Sequence, residues 1–162
     1  MTDGPSPDAL DAVYAVFAQR PDARVDIPAW TAHAERFFST RLGLAEDKRY
    51  PPGAPVPRVD RARFVVSPMA GSRDAPGIRS ASARPRDDGD LALADRADGG
   101  GSGLALLARR CPTVWLVVRE GEDDRLALRL ATILASVLLG PILDARRVEL
   151  FGAKTARARL ER

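Results

Sequence analysis

Val114-Trp115-Leu116-Val117-Val118 is the stretch on which the fold turns. Five consecutive apolar residues, three of them β-branched and one aromatic, form the pattern of a strand covered on both faces. Downstream, residues 123–139 carry a helical pattern that stops near Gly140-Pro141, and Arg147-Val148-Glu149-Leu150-Phe151 reads as a further strand. The connection over residues 119–146 exceeds the dozen residues a parallel crossover needs, so a βαβ unit is predicted. Upstream, Ala62-Arg63-Phe64-Val65-Val66 is a short strand stopped by Ser67-Pro68, and residues 103–110, with Leu104, Leu106 and Leu107, form a helix feeding the strand of Trp115. Residues 88–98 fit either a short strand, from their Leu-Ala-Leu-Ala alternation, or a helix, from their Ala and Asp content. Residues 153–162 close the chain as a basic helix. The expected fold class is α/β: a small three-layer open sheet of three to four mostly parallel strands flanked by helices, with an N-terminal helical extension.

That extension is residues 1–47. Ser6 suits an N-cap, Pro7 suits the first helical position, and Leu10, Val13, Val16 and Phe17 recur at helical spacing until Pro21. A second helix is predicted from Pro28 to Leu42, with Gly43 as its stop and Trp30, Ala34, Phe37, Phe38 and Leu42 as its apolar stripe. Two such helices are too small for a core of their own. They must pack on the rest of the chain or on a partner. Four prolines within residues 51–57 favour a polyproline-II-like spacer, so a Pro-rich linker is placed at 48–59 and an α/β domain at 60–162. Residues 70–90 are small, polar and unpatterned, which predicts a long irregular loop.

Composition narrows the function classes. With 162 residues, 29% charged and 45% hydrophobic, the chain can bury a core without staples. One cysteine (Cys111) and one histidine (His33) exclude an internal disulfide framework and a structural zinc cage. Of 25 basic residues only Lys48 and Lys154 are lysines, an arginine bias that fits a GC-rich bacterial genome and weakens any inference to nucleic acid. Charge alternates in blocks: residues 48–86 carry nine basic and two acidic groups, a net +7, between flanks of −4 each, and residues 146–162 carry +4. The start Met1-Thr2-Asp3-Gly4-Pro5 lacks the basic and apolar regions of a signal peptide, and the longest uncharged apolar run, Leu130–Leu143, has 14 residues against the ~20 that span a bilayer. A cytoplasmic protein without membrane insertion is expected.

Each candidate for chemistry has a structural counterpart. Ligands of open parallel sheets bind beyond the carboxyl ends of the strands, which nominates Ser72, Arg73, Lys154 and Thr155 as an anion site, the last two at the first turn of the final helix. The run Gly99-Gly100-Gly101-Ser102-Gly103 lacks the Lys-Ser or Lys-Thr pair of a phosphate-binding loop and has Leu106 where a dinucleotide fingerprint needs a small residue, so it is a joint with Ser102 as N-cap. Glu120, Glu122, Asp123 and Asp124 are of the type that binds Mg²⁺ or Ca²⁺, yet acidic groups in a helix's first turn are stabilised by the macrodipole alone, by ~0.3 to 1 kcal/mol each. Arg109 and Arg110 could activate the Cys111 thiol with His33 as base, although nothing in the sequence brings the two together. Cys111 is read as a small core residue at a helix end and His33 as flanking the Trp30–Phe37 stripe, and no catalytic residue, metal or cofactor is assigned.

The preferred function is a non-catalytic adaptor or accessory subunit that binds another protein, a second copy of the chain included. Its anchors would be Trp30, Phe37 and Phe38, with Arg73, Arg79, Arg84 and Arg86 on the irregular loop. The main alternative is a small α/β enzyme or nucleotide- or phosphate-binding domain using the strand ends. A third is a weak nucleic-acid binder through residues 48–86, which is disfavoured because residues 70–86 contain no aromatic side chain for base stacking.

Overall fold

A computed structural model describes residues 13–21, 25–45, 61–69, 74–99 and 101–161. They form one seven-stranded sheet in which every pairing is antiparallel, in the order β2-β3-β4-β5-β1-β6-β7. The strands are β1 (Val13–Ala18), β2 (Thr40–Leu44), β3 (Arg61–Pro68), β4 (Gly77–Pro85), β5 (Thr113–Val118), β6 (Ile142–Asp144) and β7 (Glu149–Phe151). The helices are α1 (Ile27–Phe38), α2 (Asp88–Asp98), α3 (Leu104–Arg109), α4 (Arg125–Leu138) and α5 (Ala153–Leu160). The chain therefore mixes helix and strand as expected, but the three to four mostly parallel strands are replaced by seven antiparallel ones.

Three local corrections account for the difference. Of the first predicted helix, Ser6, Pro7 and Leu10 lie outside the described residues, and the part from Val13 is β1, which lies between β5 and β6 near the middle of the sheet rather than in an appendage. Val13-Tyr14-Ala15-Val16-Phe17-Ala18 is buried on both sides, and two-sided burial erases the alternation that separates strand from helix. The second helix begins as expected, with Asp26 accepting from the Ala29 N–H and Pro28 in the first turn, but it stops at Ser39, whose left-handed backbone (φ 48°) redirects the chain into β2. Gly43, read as the helix stop, is a strand residue. The predicted loop at 70–90 contains β4, whose small residues read as irregular because packing between β3 and β5, not propensity, makes them a strand.

The crossover downstream of β5 is also altered. α4 leads into β6, and since β5 and β6 both pair antiparallel with β1, they run parallel to each other with β1 between them. The predicted strand at 147–151 is β7, the return of a β6–β7 hairpin. Residues 88–98 are helical: Asp87 caps the Asp90 N–H while the Asp90 carboxylate accepts from the Asp87 N–H. Gly103, with φ 77°, is the N-cap of α3, and Ser102 bonds back to Asp98. The Pro-rich linker at 48–59 lies outside the described residues.

Helices cover the sheet unequally. On one face α1 and α4 bury Trp30, Phe64, Val66, Trp115, Leu130, Ile133 and Leu134, with α5 against α4. On the other, α2 and α3 cover Ala15, Phe17, Val114 and Leu143 with Ala94, Ala108 and Cys111. Those side chains belong to β1, β5 and β6. The half of that face formed by β2, β3 and β4 carries no helix among the described residues. No helix among the described residues is long and apolar enough to cross a membrane.

Candidate functional site

The carboxyl ends of β5 and β6, the starts of β1 and β7 and the N-terminus of α4 enclose a cleft of about 540 Å³, lined in part by Tyr14, Asp124, Asp144, Arg147 and Arg159. Its floor holds a buried ion pair, Arg119 to Asp144 at 2.8 Å, whose side chains are 1% and 4% exposed. The Arg119 guanidinium stacks 4.5 Å from the Tyr14 ring centre. Burial raises the Tyr14 pKa, with Arg119 opposing and Asp144 reinforcing the shift. Beside it, Asp124 caps α4 through the Ala127 N–H (3.0 Å), accepts from the Glu120 N–H (2.7 Å) and takes a two-pronged bond from Arg79 at 2.8 and 3.1 Å. Burial works against ionisation of Asp124, but these hydrogen bonds and the Arg79 charge outweigh it and hold its carboxyl below the ordinary range. The acidic cluster thus contributes a saturated cap, with no lone pair left on Asp124 for a metal.

At this end of the sheet and along α4, Arg119, Arg125, Arg129, Arg147 and Arg159 each face a carboxylate. Arg125 and Arg129 converge on Asp74 at 2.9 and 2.8 Å, Arg147 lies 3.6–3.7 Å from Asp123 and Glu122, and Arg159 meets Glu149 at 2.5 Å. A phosphate would have to displace a carboxylate from each cation. Of the nominated residues, Lys154 and Thr155 lie at the opposite end from the cleft, because Phe151, at the end of β7, pairs with Ile142, the first residue of β6. Ser72 and Arg73 lie outside the described residues.

The Cys111 and His33 pair is separated by the sheet. Cys111 is packed under α2 and α3, donates to the Leu107 carbonyl at 3.3 Å, and has its pKa pushed up to about 11 by burial, with Arg86 opposing. His33 sits on α1 at the other face, 2.7 Å from the Ser136 hydroxyl, and burial lowers its pKa.

The nominated partner-binding residues divide. Trp30 is 5% exposed and belongs to the core, so it is no exposed anchor. Phe38 is half-buried beside the Arg157 guanidinium, and Phe37 is 42% exposed against the His33 ring. Of the four arginines expected on a loop, Arg73 lies outside the described residues, and the other three are on or next to β4 and are engaged: Arg79 with Asp124, Arg84 with both oxygens of Asp90 at 2.6 and 2.7 Å, Arg86 with the carbonyls of Arg109 and Cys111.

A different surface remains. The register places Arg41 and Gly43 of β2, Arg61, Arg63, Val65 and Ser67 of β3, and Ile78, Ser80 and Ser82 of β4 on the uncovered half of the sheet, continued by Val118 of β5. Ile78 is 40% and Val118 43% exposed. Arg61 and Arg63 are exposed and have no ion-pair partner among the described residues. Among the described residues Arg41 meets only the exposed Glu35, at 3.7 Å. Sequence reasoning counted Arg61 and Arg63 as bulk charge. Their alternation with Ala62, Phe64 and Val66, which point to the core, was the signal that they share one solvent face. No protein-family model, curated protein or solved structure matches the chain.

Proposed function

We propose that this chain is a non-catalytic adaptor or accessory subunit of the cytoplasm, and that it binds another protein through the uncovered half of its sheet. The observation that carries the reading is the contrast between two parts of the surface. Six arginines at the strand-end cleft and along α4 are matched to carboxylates, whereas Arg61 and Arg63 have no carboxylate partner among the described residues and share their face with exposed Ile78 and Val118. Antiparallel sheets often present one face to water, but that face is then polar throughout. Arginine beside apolar surface, poor in acidic groups, is instead the composition of a protein interface. The strand-end ligand reading is weakened by the neutralised cleft.

A photo-cross-linking residue in place of Ser80, at the centre of the face, tests the reading in the native host. A discrete cross-linked protein, lost when Ile78→Asp and Val118→Asp are introduced into a chain that still melts normally, is the expected result. If the same protein is captured with equal yield by that variant, or if a nucleotide raises the melting temperature while Ser80 cross-links nothing, the proposal fails.

A further inference from the structure

We infer that the partner presents to this face an extended acidic segment, with carboxylates at alternate positions and one apolar side chain among them. The inference rests on the reading of the uncovered face as the binding surface, and adds the chemistry of what lies there.

The positions of β3 that point outward are Arg61, Arg63, Val65 and Ser67, and each is flanked by a known neighbour. Arg61 lies beside Ser82 and Arg63 beside Ser80; Val65 lies between Gly43 and Ile78; Ser67 lies beside Arg41. Along the strand the surface therefore reads cation, cation, apolar, cation. Same-face residues of a strand repeat every two positions, roughly 6.8 Å apart. An extended peptide has the same repeat, so carboxylates at positions one, three and seven would meet Arg61, Arg63 and Arg41 while an apolar residue at position five covers Val65 and Ile78. Arginine is suited to this because its planar fork grips a carboxylate with two hydrogen bonds. The Ser80 and Ser82 hydroxyls add donors between them. At Gly43 an added side-chain carbon would meet nothing within 4 Å, so the apolar row is open on that side and accepts a bulky residue.

A nucleic acid would use the cations but not the rest. The outward positions of β2, β3 and β4 include no aromatic ring on which a base could stack, and a sugar–phosphate backbone gains nothing from Val65 and Ile78. Charge and apolar row together favour a peptide.

The test uses the full chain and a fluorescein-labelled peptide, Glu-Thr-Glu-Thr-Leu-Thr-Glu, read by anisotropy, with oligodeoxythymidine as competitor. Saturable binding is expected, weakened at least about tenfold by Arg61→Glu with Arg63→Glu, and also by Arg61→Lys with Arg63→Lys, which keep the charge but lose the fork. Replacing the probe's leucine by serine should weaken it comparably. The inference is overturned if no saturable binding occurs, if the Glu variant binds the probe as well as the parent, or if the oligonucleotide displaces the peptide at lower concentration than unlabelled peptide does. Should the probe fail while Ser80 still cross-links a host protein, the surface stands and only the acidic segment is lost. Failure of both removes the surface as well.

Discussion

The indole of Trp30 meets that of Trp115 edge-on, with ring centres 5.9 Å apart and planes at 76°. This contact joins α1 to β5, and Phe64 of β3 stacks with Trp30 at 6.1 Å, so three separate parts of the sequence meet at one ring. Trp30→Ala should therefore cost about 3–5 kcal/mol in urea unfolding, the range for large aromatic side chains removed from a core. A loss below about 1 kcal/mol would show that the ring is not part of the core and would return it to the list of surface anchors.

How far the sequence discloses this structure depends on how many neighbours decide each element. β5 is legible because five apolar residues in a row have few alternatives, and α4 because its apolar pattern has a cap at one end and Gly140-Pro141 at the other. β1 is equally apolar, but the spacing of its Val13, Val16 and Phe17 also fits a helix, and only the slot between β5 and β6 selects the strand. β4 has a single large apolar residue, Ile78, and owes its conformation to β3 and β5. The same long-range pairing makes the sheet antiparallel, which moves Lys154 and Thr155 away from the cleft and gathers Arg41, Arg61 and Arg63 on one face. No local signal carries that information. The charge block at 48–86 was visible, but not which of its arginines would be neutralised.

Arg79 and Asp124 link β4 to the start of α4, with side chains 15% and 4% exposed. Asp124→Asn keeps the shape and a capping oxygen but leaves the Arg79 guanidinium with the exposed Glu120 carboxylate, 3.3 Å away, in place of its buried partner, and should cost about 2–3 kcal/mol by thermal or urea unfolding. Its pH signature is specific. Asp124 and Asp74 both titrate below their ordinary carboxylate values when folded: for each, burial opposes ionisation and the arginine hydrogen bonds overcome it. A depressed folded pKa contributes stability above the unfolded value, near pH 4, and that contribution is lost as pH falls through the folded value. Parent stability should thus fall steeply below about pH 4, and Asp124→Asn should be weaker at neutral pH with a shallower acid slope. Parallel curves for the two proteins would contradict this.

The pair Arg119 and Asp144 makes a contrasting case, because neither partner reaches water. Arg119→Met alone leaves a buried carboxylate without its cation and should destabilise by roughly 3–5 kcal/mol. Asp144 also accepts from the N–H groups of Arg146 and Arg147, so the β6–β7 turn should loosen with it. Adding Asp144→Asn to Arg119→Met, which removes the stranded charge but retains an acceptor for that turn, should recover a large part of the loss. A double variant as unstable as the sum of the two single ones would mean that the charges do not act on each other.

Cys111 should be silent toward thiol reagents in the folded protein. Attack requires the thiolate, and burial under α2 and α3 holds the thiol's pKa at about 11, so at pH 8 only a minute fraction is ionised and none of it is exposed. Labelling with an aromatic disulfide at pH 8 is expected to proceed at the rate of unfolding and to accelerate in urea alongside loss of the circular dichroism signal. Fast stoichiometric labelling of folded protein would instead reveal an accessible, activated thiol and reopen a nucleophilic role.

Gly140 is where α4 ends against β1. A side-chain carbon built there falls 1.8 Å from the Phe17 carbonyl oxygen and 3.2 Å from the Cys111 sulfur. Neither the oxygen nor its carbon can retreat, because the Phe17 N–H donates to the Pro141 carbonyl at 3.0 Å and Gln19 donates to Leu138 at 3.0 Å, fixing β1 against this turn from both sides. Gly140→Ala must therefore push the α4–β6 connection off the sheet, at a cost of about 3 kcal/mol or more, at the upper end of what overpacking a core brings. Because β6 pairs with β1 just beyond the turn, the displacement should also open its edge, speeding amide exchange at Ile142 and Leu143 ahead of that in β5. Unchanged stability in Gly140→Ala would show that the helix end does not press on β1 as described.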